Sequence, residues 1–143
     1  MRVLVTGSDG TLGRPLAAEL RARGHEVFGS DIRHTEQEPD VFMRADVASY
    51  RQLRRAFDAF SPEAVYHLAG EFGRHNGNRM VEDVWRTNLV GTFNVCELCA
   101  EHGARLLFAS SSEIYGECDA DPLHEALSEE VALWQPNEYA LSK

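Results

Sequence analysis

The segment Val3-Leu4-Val5-Thr6-Gly7-Ser8-Asp9-Gly10-Thr11-Leu12-Gly13 constrains this chain more than any other. Its aliphatic run has no polar alternation, so it reads as a short strand buried on both faces, as in a parallel sheet. The strand runs directly into glycines at positions 7, 10 and 13. Gly7 permits a turn that a Cβ would block. Gly10 permits backbone to approach a pyrophosphate, and Gly13 permits the next helix to pack close to its strand. The free N–H groups at the start of that helix, around Thr11 and Leu12, then form an anion site. A glycine pattern alone says little; its place between a strand and a helix gives it meaning.

The rest of the chain alternates in the same way. Strands are expected over residues 2–6, 25–30, 41–43, 64–68 and 105–109. Helices are expected over 11–23, from Ser49 to the break at Pro62, over about 80–102, and from about Asn137. Residues 32–40 and 71–78 read as loops, and 117–136 as an acidic loop with one short helix near 128–133. There is no internal repeat and no low-complexity tract. This order predicts an α/β fold, a Rossmann-type doubly wound parallel sheet of about five strands. Ligands of such sheets bind beyond the carboxyl ends of the strands, where every motif described below falls or faces.

At 143 residues the sequence is one domain's worth of chain. A net charge of −9 argues against nucleic acid or an anionic membrane as partner, while local backbone amides can still bind an anionic cofactor. No apolar run approaches the ~18 residues of a membrane span, and the first residues already form a strand, so a cytoplasmic protein without a signal peptide is expected. Cys96, Cys99 and Cys118 make an odd count that argues against a disulfide framework. Cys96 and Cys99 fall within a helical pattern with no second pair to complete a metal site, so no metal is expected.

Asp31, followed by Ile32, ends the second strand about twenty residues after the glycine turn, the spacing of an acid that binds an adenosine ribose. A carboxylate there accepts from both ribose hydroxyls and repels a 2′-phosphate, which favours NAD over NADP; the nearby Arg33 tempers that preference. Asp46-Val47 follows the third strand and suits either an adenine contact or a helix cap. The fourth strand ends in Leu68-Ala69-Gly70 on the same side of the sheet. Tyr139 and Lys143 stand four residues apart on one helix face. An ammonium beside a phenol favours the phenolate, which can take a proton from a sugar hydroxyl as hydride leaves the carbon. Among Ser110, Ser111 and Ser112 a hydroxyl can bond the reacting oxygen. Glu113 is a candidate second base next to a newly formed ketone, or a supporting or solvent-facing group.

These residues resemble the extended short-chain dehydrogenase/reductase family of nucleotide-sugar enzymes. The matching elements are Thr6-Gly-x-x-Gly-x-x-Gly13, Asp31, Asp46-Val47, His67-Leu-Ala-Gly70, Thr87-Asn88 with Gly91-Thr92-x-Asn94, Ser110-Ser-Ser-Glu-Ile-Tyr-Gly116 and Tyr139-x-x-x-Lys143. The resemblance implies NAD as cofactor, with Ser111, Glu113, Tyr139 and Lys143 catalytic and Asn88 beneath the site supporting the lysine. It implies a nucleotide-sugar substrate oxidised at C4 to a keto intermediate, and a homodimer built on the long fourth helix and the Tyr/Lys helix, with Trp85 and Phe93 as candidate contacts. Ser-x-Glu before Ile-Tyr-Gly is similar to 4,6-dehydratases and uronate decarboxylases more than to plain 4-epimerases. Family members run to about 300 residues with a carboxyl-terminal substrate domain. Residues 1–143 are therefore expected to be the NAD-binding domain alone, ending at the catalytic lysine and lacking that substrate domain. Two other functions fit the same residues: a net dehydrogenase or reductase of a non-sugar alcohol, and a non-catalytic dinucleotide-binding module.

Overall fold

The computed structural model describes residues 1–33, 41–118, 124–130 and 133–143. Five strands, β1 (Arg2–Thr6), β2 (Glu26–Asp31), β3 (Phe42–Arg44), β4 (Ala64–His67) and β5 (Arg105–Phe108), form one sheet in the order β3-β2-β1-β4-β5. Every pairing is parallel, so each connection must cross back over the sheet. The chain winds outward from β1 to β3, then returns to add β4 on the other side of β1. That reversal opens a crevice at the carboxyl ends of β1 and β4.

Strand alternation divides the apolar side chains between two faces. Leu4, Phe28 and Val65 face α2 (Tyr50–Phe60) and α5 (Gly91–His102), burying Leu53, Phe57, Val95 and Leu98. Val3, Val5 and Val27 face α1 (Gly13–Ala22), which contributes Ala17 and Leu20. The expected α/β parallel sheet of about five strands is therefore present, with helices on both faces. Among the described residues, β5 pairs only with β4, so its outer edge is open.

Three details differ from the sequence reading. Residues 71–78, expected as loop, are helical from Arg74 on, in α3 (Arg74–Arg79). Its Asn and Gly residues are poor helix formers, and packing decides instead: Gly77 lies so close to the last helix, α7 (Glu138–Leu141), that a Cβ there would sit 2.9 Å from the Tyr139 amide nitrogen. The long helix expected over 80–102 is segmented. Met80 leaves helical geometry at φ −126° and ψ 51°, α4 (Val81–Val84) follows, Trp85–Val90 forms a π-helical segment, and α5 then runs to Gly103. The acidic region contains α6 (Leu127–Glu130), while residues 131–132 of the expected helix lie outside the described residues. Asn137 starts α7 as anticipated, its side-chain oxygen accepting from the Ala140 amide at 2.9 Å.

Candidate active site

The glycine turn is shaped by contacts no side chain would tolerate. Gly7 has φ +68°, and a Cβ on it would stand 2.7 Å from the Ala69 amide nitrogen. A Cβ on Gly13 would stand 2.2 Å from the Gly7 carbonyl oxygen, so the helix start is pressed onto the turn. A Cβ on Gly10 would have only that carbonyl near it, at 3.1 Å, and open space beyond. The start of α1 carries no side-chain cap. Within its first turn Arg14 donates to the Gly10 carbonyl and Leu16 to the Leu12 carbonyl, each at 3.2 Å, and Pro15 has no N–H, which leaves the Gly13 amide, with Thr11 and Leu12 before it, for an acceptor that is not part of the helix.

Asp31 lies at the end of β2 and is 7% exposed. One carboxylate oxygen accepts from the Asp9 amide and the other from the Arg33 amide, each at 3.0 Å. Each oxygen keeps a lone pair for a further donor. The Arg33 guanidinium donates to the Asp9 carbonyl at 3.1 Å, and the Arg14 guanidinium beside Asp9 holds that carboxyl below its usual range.

Across the sheet, Ser30, Thr6, His67 and Phe108 stand in one register. His67 is fully buried. Its Nδ1 meets the Thr6 hydroxyl at 2.7 Å and its Nε2 the Thr92 hydroxyl at 3.0 Å. Burial, aided by the Lys143 charge, lowers its pKa to about 4, so it is a neutral imidazole with both nitrogens bonded. The imidazole stacks on Phe108, with centroids 5.8 Å apart.

Asn88, in the π-helical segment, clasps two distant pieces of chain. Its side-chain oxygen accepts from the Glu71 amide at 2.8 Å. Its nitrogen donates to the Glu71 carbonyl at 2.9 Å and to the Ser142 hydroxyl at 2.8 Å. Ser142 in turn donates to the Tyr139 carbonyl at 2.8 Å. The loop after β4 and α7, which bears Tyr139 and leads through Ser142 into Lys143, are thereby tied together.

Two adjoining cavities, of about 330 and 470 Å³, share Gly7, Gly10, Leu68 and Gly70 and form one cleft over the sheet. Asp31, Ile32, Val47 and Ala69 line one part. Thr11, Leu12, Gly13, Ser110, Tyr139 and Lys143 line the other. Most of the residues singled out in the sequence thus meet in one place. Four do not line these cavities. Asp46 accepts from the Ala48 amide at 2.9 Å, in a turn ahead of Ser49, the N-cap of α2, and pairs with Arg86. Asn88 directs its three hydrogen bonds to protein groups. Ser111 accepts from the Glu113 amide at 3.2 Å and starts a short 3-10 helix, Ser112–Tyr115. Glu113 is gripped through both oxygens by the Arg74 Nε, at 3.0 and 2.9 Å, and this pairing lowers its pKa. Of the three serines it is Ser110 that lines the cleft.

The pairing of Arg74 with Glu113, that of Arg86 with Asp46, and the place of Phe108 were not anticipated. The two are surface arginines whose partners lie 39 and 40 residues away, a relation that no local pattern encodes. Phe108 offered a signal, since it precedes the serines on the strand and alternates with Leu107. The three cysteines are free thiols, and burial raises the pKa of Cys99 to about 11. Among the described residues no group of three His, Cys, Asp or Glu side chains is placed to hold a metal ion, and no helix is long and apolar enough to cross a membrane.

A parallel sheet with a glycine turn, a terminal acid and a Tyr/Lys pair on one cleft defines a dinucleotide-fold protein of the short-chain dehydrogenase type. Residues 3–143 match the family model described as the NAD dependent epimerase/dehydratase family, and the chain belongs to that family. UDP-glucuronic acid decarboxylase 1 of Danio rerio is 32% identical, over 87% of this chain and 30% of its own length. UDP-glucose 4-epimerase of Mus musculus is 30% identical, over 87% of this chain and 42% of its own. The crystal structure of the UDP-glucose 4-epimerase of Thermus thermophilus in complex with NAD superposes with a TM-score of 0.85 at 33% identity, covering 100% of this chain and 47% of that one. The chain therefore spans about a third to a half of the length of these relatives.

Proposed function

We propose that residues 1–143 are the NAD-binding domain of an enzyme that modifies the sugar of a nucleotide-sugar by oxidising its C4 hydroxyl to a ketone. One observation carries the reading: the open glycine turn, Asp31 and the Tyr139/Lys143 pair lie along a single cleft. The relatives support it, since they include a UDP-sugar decarboxylase and UDP-sugar epimerases, one of them an NAD complex.

The residues fit NAD on their own geometry. The space above Gly10 admits a diphosphate beside the uncapped start of α1. Asp31 retains lone pairs for the two ribose hydroxyls, and its charge disfavours a 2′-phosphate. The Ser30 hydroxyl is buried on a cleft-lining residue and has no partner among the described residues, as expected where a ligand completes the site. Bound NAD supplies the hydride acceptor that oxidation of the sugar carbon requires. Tyr139 takes the hydroxyl proton, and Lys143 offers its N–H donors to hydroxyls in the same part of the cleft. Ser111, one residue beyond the cleft-lining Ser110, accepts from the Glu113 amide and keeps its own O–H to donate to the reacting oxygen of a substrate that reaches past Ser110. Glu113, held as a carboxylate by Arg74, is the candidate second base once that pair opens.

Exposed Leu89, Val90 and Phe93 on the fourth-helix region support association as a homodimer, which sedimentation would measure. The functional test is incubation with UDP-sugars and catalytic NAD, followed by NMR of the sugar. The expected result is conversion of the sugar without accumulation of NADH, and loss of at least about 100-fold in rate for Tyr139→Phe with NAD binding retained. Stoichiometric NADH without an altered nucleotide-sugar would instead favour a net dehydrogenase. No heat with NAD in calorimetry, and no nucleotide extracted from the protein, would overturn the reading.

A further inference from the structure

Lys143 is the one lysine among the 14 lysine and arginine residues of the sequence; all the others are arginine. Among the described residues no carboxylate forms an ion pair with it. Its ammonium lies instead over the Phe108 ring, 4.7 Å from the centroid. That ring also stacks on the His67 imidazole, at 5.8 Å and with planes 27° apart. His67 cannot swing away, because the Thr6 and Thr92 hydroxyls hold its two nitrogens at 2.7 and 3.0 Å. Gly70 completes the arrangement, since the place its Cβ would take is 3.9 Å from the ammonium and 3.0 Å from the Asn88 side-chain oxygen.

This arrangement has a chemical consequence. A carboxylate partner would occupy the N–H donors of Lys143 and cancel its charge. An aromatic face attracts a cation through its quadrupole and leaves the donors free. We propose that Phe108 is a positioning residue, its ring the seat that holds the Lys143 ammonium at the cleft with its hydrogen-bond donors open to a ligand, and His67 the backing that holds the ring. The proposal rests on the reading of Lys143 as a ligand-facing group. The imidazole suits this task because burial and the lysine charge keep it neutral, so it does not repel the ammonium.

The test uses the protein labelled with carbon-13 at the lysine ε position, the Lys143 signal being assigned by its loss in Lys143→Arg. A cation seated on a ring has ε protons shifted upfield by the ring current. The expected result is an upfield signal in the native protein, its retention in Phe108→Tyr, and its return to the free-lysine position in Phe108→Leu. Phe108→Met provides a second ringless variant should the leucine variant not fold, amide dispersion reporting the fold in each. Calorimetry with NAD is expected to show affinity about twofold to fivefold weaker for the ringless variants and unchanged for Phe108→Tyr. A lysine signal that keeps its native position in a folded ringless variant would overturn the seat. A native protein that gives no heat with NAD would overturn the dinucleotide reading instead, and the lysine signal would still decide the seat.

Discussion

Asp31 sets the ligand preference through an arrangement that a single substitution can expose. Its two oxygens hold the Asp9 and Arg33 amides in place and still face the cleft. Asp31→Ala removes a charged acceptor and is expected to weaken NAD by about 1.5–3 kcal/mol, tenfold or more, in calorimetry. The same variant loses its repulsion of a 2′-phosphate, so the NAD-to-NADP affinity ratio should fall with it. His67 makes a prediction about pH. Its pKa falls from 6.5 when exposed to about 4 in the folded protein, so between these values the unfolded chain binds a proton that the folded chain refuses. Stability from this group is complete above pH 6.5 and is lost progressively as pH drops toward 4, by about 3 kcal/mol in all. Urea denaturation at pH 7 and at a pH near 4.5 should show the loss, and His67→Gln should show less of it.

The elements differ in how openly the sequence announced them. β1 and α1 were legible because a continuous aliphatic run, three glycines and a helical apolar stripe all specify the same strand–turn–helix. The cleft follows from that, since Asp31 ends a strand, the spacing of Tyr139 and Lys143 puts them on one helix face turned toward the strand ends, and a parallel sheet fixes where those ends lie. Two features were not legible, for one physical reason: neither leaves a mark on local spacing. The helix α3 is built from Arg, His, Asn and Gly, and its stability comes from contact with α7 some 60 residues later rather than from its own propensities. The π-helical widening at Trp85–Val90 leaves the apolar spacing of 80–102 nearly unchanged, so periodicity reads straight through it. Likewise Asp46 and Glu113 were recognisable as acids near a site, while the arginines that engage them were not. The contact of α3 with α7 is testable. Gly77→Ala places a methyl 2.9 Å from a backbone nitrogen and 3.0 Å from the Tyr139 Cβ, so one helix must retreat. Overpacking of this kind is expected to cost about 1–3 kcal/mol in denaturant titration and to displace the Tyr139 resonances.

At the scale of the molecule, the cleft joins two halves of the sheet that meet only along β1 and β4. Strands β1 to β3 supply the glycine turn and Asp31; β4, β5 and α7 supply Leu68, Ser110, Tyr139 and Lys143. A ligand lying across both halves should therefore stabilise the whole chain as one unit. At 100 times its dissociation constant NAD is expected to add about 2.7 kcal/mol, which differential scanning fluorimetry would register as a higher melting temperature. Within the second half, Asn88 fastens the loop after β4 to α7, and it does so from a stretch of helix that holds more residues per turn than the α-helix around it. Excising Leu89 would let that stretch relax into a regular spiral with the helices on either side nearly in place, since six residues of the wider helix turn about as far as five of an α-helix, while the residues inside it are re-aimed. The tidier helix would point Asn88 away from both Glu71 and Ser142. A one-codon deletion that spares every cleft-lining side chain would thus sever the brace beneath Tyr139.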